Sequence, residues 1–120
     1  MLGAHALADG ALQLRLAAGR PAAVLLLSGA LDSRCALELP EALLAAVRAC
    51  PDGLALDLSG VDVCDEAGVA ALARACEHAR RFGHPVGLAA STADLDRLMV
   101  LTDTLHLVAD HLDATGGPTP

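Results

Sequence analysis

Leu12, Leu14 and Leu16 alternate with Gln13, Arg15 and Ala17, a period of two that predicts a half-exposed edge strand. Gly19-Arg20-Pro21 breaks it, and Ala22 to Ser28 (AAVLLLS) follows as a continuous apolar run. Its length fits a strand buried on both faces. After Gly29-Ala30-Leu31-Asp32 the period changes. Leu39, Leu43, Ala46, Val47 and Cys50 recur at helical spacing, which predicts a helix over about 36–50. Pro40 is tolerable only in the first turn, so the helix should begin near Leu37. Pro51-Asp52-Gly53 stops it, and Leu54 to Leu58 (LALDL) reads as the next strand.

A second helix over 66–82 follows from Val69, Leu72, Cys76 and Ala79 on its buried face. Arg74, Glu77, His78 and Arg81 lie opposite, with Glu77 and Arg81 spaced to pair, and Gly83 is placed to end the helix. Pro85 to Ala90 is strand-like. Ser91 is positioned to cap a third helix, with Asp94 at the capping-box position and Leu95, Leu98 and Leu101 as its apolar stripe. Leu105 to Val108 reads as a last short strand. Strands separated by helices imply parallel pairing in an α/β fold. Three helices are enough to cover one face of such a sheet and leave the other thinly covered. The expectation is one domain over residues 1–110 and a disordered tail over 111–120.

Composition narrows the function. The chain of 120 residues is 54% hydrophobic and 19% charged, with net charge −7, so it lacks the basic patch of a nucleic-acid binder. All 8 basic residues are Arg; without Lys there is no phosphate-binding P-loop. Phe82 is the only aromatic residue, which leaves no platform for base stacking. Cys35, Cys50, Cys64 and Cys76 form no CxxC pair; they read as reduced, buried small hydrophobes in a reducing cytoplasm. The opening MLGAHALADG has no basic n-region and carries Asp9, unlike a signal peptide. No apolar run approaches the ~20 residues of a membrane span. His78 with His84, and His106 with His111, do not have the spacing of helical metal pairs. Neither a metal nor a cofactor is expected.

The junction Val61-Asp-Val-Cys-Asp-Glu-Ala-Gly68 is the place where chemistry or recognition could sit. As architecture, Asp65 is a good N-cap, Glu66 suits the positive end of the helix dipole, and Gly68 permits close helix–sheet packing. A receiver-type phospho-acceptor at Asp57 or Asp65 would need an acidic pair after the first strand for Mg²⁺, and a Lys. Both are missing. A general acid/base pair at Asp65-Glu66 has no partner His or Ser with a defined place beside it. A recognition surface at the helix start, read by another protein, is the third functional reading, and it stands beside the architectural one.

Three stretches resemble the STAS domain family, that of anti-sigma factor antagonists and sulfate-transporter C-terminal regions. VLLLSGALDSRCALELPEAL is similar to the family's strand–Gly-x-Leu-Asp–helix opening. LALDLSGVDVCDEAGVAALARACEHARRFGHPVGLAA is similar to its central strand, Asp-Ser-Ser-Gly-Leu loop, long helix and next strand. STADLDRLMVLTDTLHLV resembles the third helix with its Leu-Thr-Gly-Leu ending, here with Asp103 for the Gly. Gly at that point accepts a left-handed conformation more easily than Asp. The resemblance spans residues 12–109 and implies a STAS-like mixed β-sheet of four or five strands with three or more packed helices.

In anti-sigma factor antagonists the second Ser of the Asp-Ser-Ser-Gly loop is phosphorylated by a partner kinase. On that match Asp65 stands for the Asp, Glu66 for the first Ser, Ala67 for the phosphorylated Ser and Gly68 for the Gly. Ala67 has no hydroxyl, so it cannot take a phosphate. The resemblance therefore implies a non-enzymatic, cytoplasmic interaction module that binds a kinase-like anti-sigma factor. Asp32, Ser33, Asp65, Glu66, Ala67 and Gly68 would form the contact surface. Two alternatives stand beside it: a small STAS accessory subunit of a lipid-transport ATPase, and a small-molecule or nucleotide-sensing domain.

Overall fold

The computed structural model describes residues 3–19 and 22–109. The expected tail over 111–120, the Arg20-Pro21 break and His111 lie outside the described residues. Among the described residues five strands form one mixed sheet in the order β1 (Gly3–Leu7), β2 (Leu12–Ala17), β3 (Ala23–Leu31), β4 (Leu54–Cys64) and β5 (Val86–Ala90). β1–β2 and β2–β3 are antiparallel; β3–β4 and β4–β5 are parallel. The helices are α1 (Leu39–Ala49), α2 (Glu66–Arg81), α3 (Ala93–Leu101) and α4 (Leu105–Ala109).

The period-two pattern of β2 sets the sidedness of the sheet. Leu12, Leu14 and Leu16 are buried and Gln13 and Arg15 exposed, because side chains alternate across a strand. Cross-strand pairing carries that face into Leu27 and Leu25 of β3, then Leu56 of β4. Leu39, Leu43 and Val47 of α1 and Val69, Leu72 and Cys76 of α2 join these residues in one core. The opposite face keeps Gln13, Arg15, Ser28 and Ala89 exposed and Val24 and Leu26 half-buried.

Several expectations change. β2 is not an edge strand, because β1 pairs with it from Gly3↔Leu16 to Leu7↔Leu12. β3 is not buried on both faces, since the helices leave its second face open. It also runs three residues beyond Ser28, and β4 continues past Leu58 to Cys64. α1 starts at Leu39 rather than Leu37, with Pro40 in its first turn and a 3-10 turn at Ser33–Cys35 before it. Thr92, not Ser91, caps α3: its Oγ1 accepts from Leu95 N at 3.1 Å. Asp94 is not the reciprocal half of that cap and instead pairs with Arg97 at 3.3 Å. The stripe of α3 is Leu95 and Met99, while Leu101 is exposed.

Residues 105–108 form the helix α4, not a strand. Asp103 turns the chain there with φ +57°, the left-handed conformation that the family's Gly accepts more easily. Val108 then buries fully in the core, and Arg80 Nη2 donates to Val108 O at 3.2 Å and to Val86 O at 3.2 Å. Cys35, Cys50 and Cys76 are buried and Cys64 is only half-buried; all four are free thiols. Burial pushes the Cys76 thiol up to about 12.

Candidate recognition site at the carboxyl ends of β3 and β4

β3 and β4 run parallel and end side by side, with Leu31 opposite Cys64. The segments that follow them therefore rise at the same end of the sheet. Asp65 takes extended backbone angles (φ −138°, ψ 176°) and caps α2. Gly68 N–H donates to Asp65 Oδ1 at 2.8 Å, Val69 N–H to Asp65 O at 3.0 Å, and Asp65 N–H to Leu31 O at 3.2 Å. The capping role expected of Asp65 is borne out.

Gly68 explains how close the helix start comes to β3. A Cβ at this position would stand within contact distance of the Leu31 carbonyl and 2.6 Å from Asp32 N. These are backbone atoms and cannot swing aside. The α2 start and the β3–α1 loop are thus pressed together, and Gly68 is buried. Glu66 and Ala67 point away and are exposed.

On the other loop, Asp32 accepts from Arg34 N at 3.0 Å, from Arg34 Nε at 3.1 Å and from Arg34 Nη2 at 2.8 Å. These hydrogen bonds hold its carboxyl below the usual carboxylate range. The Asp32 side chain is only 15% exposed and that of Arg34 59%. The group this turn offers to solvent is therefore the guanidinium, with exposed Ser33 beside it. Buried Cys35 donates its thiol to Asp32 O at 3.1 Å. Glu38 Oε1 accepts from Ala8 N at 2.8 Å, tying the β1–β2 turn to the same end. Leu37 is 94% exposed.

Of the six residues expected at the site, the structure brings Asp32, Asp65 and Gly68 together as the framework. Ser33, Glu66 and Ala67 form the exposed surface over it. Arg34, Leu37 and Glu38 escaped the reading of the sequence. The sequence signals only the backbone bond from Arg34 N to Asp32, since Asp side chains commonly bond the backbone two residues on; it carries no signal for the guanidinium. Nothing marked Leu37, which looked like a helix start.

The family model described as "Mlab, STAS domain" matches residues 7–109. The chain belongs to this STAS domain family. The STAS domain is also similar to two solved structures. An anti-sigma factor antagonist from Mycobacterium paratuberculosis shares 24% identity over 87% of this chain and 81% of its own, with TM-score 0.60. The anti-sigma factor antagonist SpoIIAA in its unphosphorylated form shares 12% identity over 89% of this chain and 99% of its own, with TM-score 0.61. At these identities the likeness is one of fold. No curated protein matches the chain. Among the described residues of this STAS domain no helix is long and apolar enough to cross a membrane.

Proposed function

We propose that this STAS domain is a non-enzymatic, cytoplasmic interaction module of the anti-sigma factor antagonist type, which binds a kinase-like anti-sigma factor. The observation that carries the reading is the contact of Gly68 with the Leu31–Asp32 backbone. It holds two loops side by side on one exposed end, as a surface read by another protein requires. Ser33, Glu66 and Ala67 meet the partner, with Asp32, Asp65 and Gly68 supporting them. Residue 67 is the switch position of the family, and as Ala it takes no phosphate.

The test is incubation with the cognate kinase-like protein and ATP, followed by intact-mass measurement and association kinetics. The parent should stay unmodified over residues 65–68. Glu66→Lys should bind with a slower association rate and remain folded, because an exposed charge acts mainly on encounter. Ala67→Ser should bind like the parent and accept phosphate. A stoichiometric phosphate on the parent loop, or unchanged kinetics in Glu66→Lys, would overturn the reading. Phosphate at Ser33 or Ser59 would relocate the switch.

One observation favours a second reading. A loop with no hydroxyl at 67 suits permanent assembly better than a switch, as in a STAS accessory subunit of a lipid-transport ATPase. A neighbouring gene for a transporter ATPase rather than a kinase-like anti-sigma factor separates the two.

A further inference from the structure

β5 pairs with β4 only from Leu54 to Asp57, where Ala90 is the last partner. β3 pairs with the other side of β4 as far as Cys64. Among the described residues no strand pairs with the β5 side of β4 from Leu58 to Cys64, an edge about 20 Å long at ~3.3 Å per residue. Native proteins usually blunt such an edge with charge, proline or a covering element. Here α3 lies alongside and leaves a groove of about 570 Å³ between helix and edge, lined by Val61, Asp62, Val63, Asp94, Leu98 and Leu101.

Two properties of the groove point to its occupant. Its rim is apolar and wet: Val63 is 54% exposed and Leu101 75% exposed, with Val100 at 63% next to it. Its charge is acidic. Arg97, the one cation among the described residues that line the groove, is already paired with Asp94 at 3.3 Å. Exposed Asp62 makes no ion pair among the described residues, and Asp65 and Glu66 continue the acidic run. A groove between an open strand edge and a helix is the geometry in which an extended peptide adds as a further strand. Backbone hydrogen bonds would hold it, and alternate side chains would enter the groove.

We infer that the β4 edge between Val61 and Cys64, with α3, takes up an extended segment of a partner protein that alternates apolar and basic residues. The inference rests on the reading of this domain as an interaction module, but not on the class of partner. A second copy of the chain is disfavoured, because edge-to-edge pairing would bring acidic rims together.

The probe is an end-blocked heptapeptide alternating Arg and Val, added to the full chain at millimolar concentration. The readout is amide hydrogen exchange, residue by residue. Exchange should slow severalfold at the amides of residues 61–64 that face away from β3, while those turned toward β3 should change little. The effect should weaken with salt, fail with Glu in place of Arg, and fail when alternate peptide amides are N-methylated. Asp62→Lys should weaken peptide binding by about fivefold, the scale of an exposed charge pair lost, and Leu101→Asp should weaken it too. Both positions are exposed, so both variants should keep the parent's melting temperature.

An unprotected edge overturns the inference. So does equal protection by the Glu peptide or the N-methylated peptide, or edge protection in a dimer without peptide. The proposal for the loop fails by a different readout, unchanged partner kinetics in Glu66→Lys, which the peptide assay does not touch.

Discussion

Gly68→Ala sets two opposed effects against each other. Gly68 lies in the first turn of α2 and does not have a positive φ. By propensity alone Ala should stabilise this helix by up to ~1 kcal/mol. Packing opposes that. The new methyl would stand 2.6 Å from Asp32 N and closer still to the Leu31 carbonyl. Relief requires the helix start to retreat on the order of an ångström. That movement stretches the Asp65 N–Leu31 O bond, already 3.2 Å long, past useful geometry.

Losing such a bond costs about 1 kcal/mol, and overpacking against rigid neighbours about 1–3 kcal/mol. The net expectation is a destabilisation of about 2 kcal/mol after the propensity gain is subtracted. For a domain of this size that lowers the melting temperature by roughly 6–10 °C. Urea unfolding followed by far-UV circular dichroism measures it, with an unchanged slope expected because the exposed surface hardly changes. Gly83→Ala is the control. Gly83 has φ +83° and open space around it, so it reports the backbone effect, about 1 kcal/mol, without a clash. A Gly68→Ala variant as stable as the parent, or more so, would refute the close-contact account of this junction.

Two further changes probe the same end of the sheet. Asp65→Ala should cost about 1 kcal/mol through loss of the α2 cap, and Asp65→Asn should recover most of it; chemical denaturation of both variants decides the matter. Arg34→Ala should raise the Asp32 carboxyl toward its ordinary value, read by NMR titration. Because the folded value is lowered, the stability linked to Asp32 is present above its unfolded pKa of ~3.9 and lost as pH falls through the folded value. The variant should lack that part of the acid-side slope; an unmoved Asp32 titration would sink the assignment.

The parts of the fold that were legible in the sequence are those fixed by local chemistry. The α2 face was plain because Val69, Leu72, Cys76 and Ala79 keep helical spacing, and Asp65 stands where a cap is needed. The parts that were not legible depend on tertiary partners. Gly3–Leu7 reads GAHAL, poor in the residues that favour strands, and becomes a strand only by pairing with β2. Leu105–Val108 alternates like a strand. Yet the turn at Asp103 and the burial of Val108 dock it as a helix. Thr92 displaced Ser91 as cap, an error of one residue within the usual uncertainty of helix ends. At the site, the sequence located the acidic junction and the glycine. It could not tell that Arg34 would cover the Asp32 carboxylate, because that depends on how the turn closes.

At the junction the residues that hold the fold differ from those exposed to solvent. The cap of α2 is supplied by Asp65, and the close approach to β3 by Gly68. Residue 67 has neither task, and its side chain is exposed. Ser and Ala differ there only by a few tenths of a kcal/mol in helix propensity, so the hydroxyl can be absent with little effect on the fold. A phosphate at 67 would act differently. It would add about two negative charges next to Glu66, on a surface already acidic and not needed to hold the helix in place. The framework would persist while the outward charge changed. The same division explains why Glu66→Lys should alter encounter with a partner and Gly68→Ala should alter stability. Only Gly68→Ala displaces the helix start itself, so its effect on binding should follow its effect on the fold.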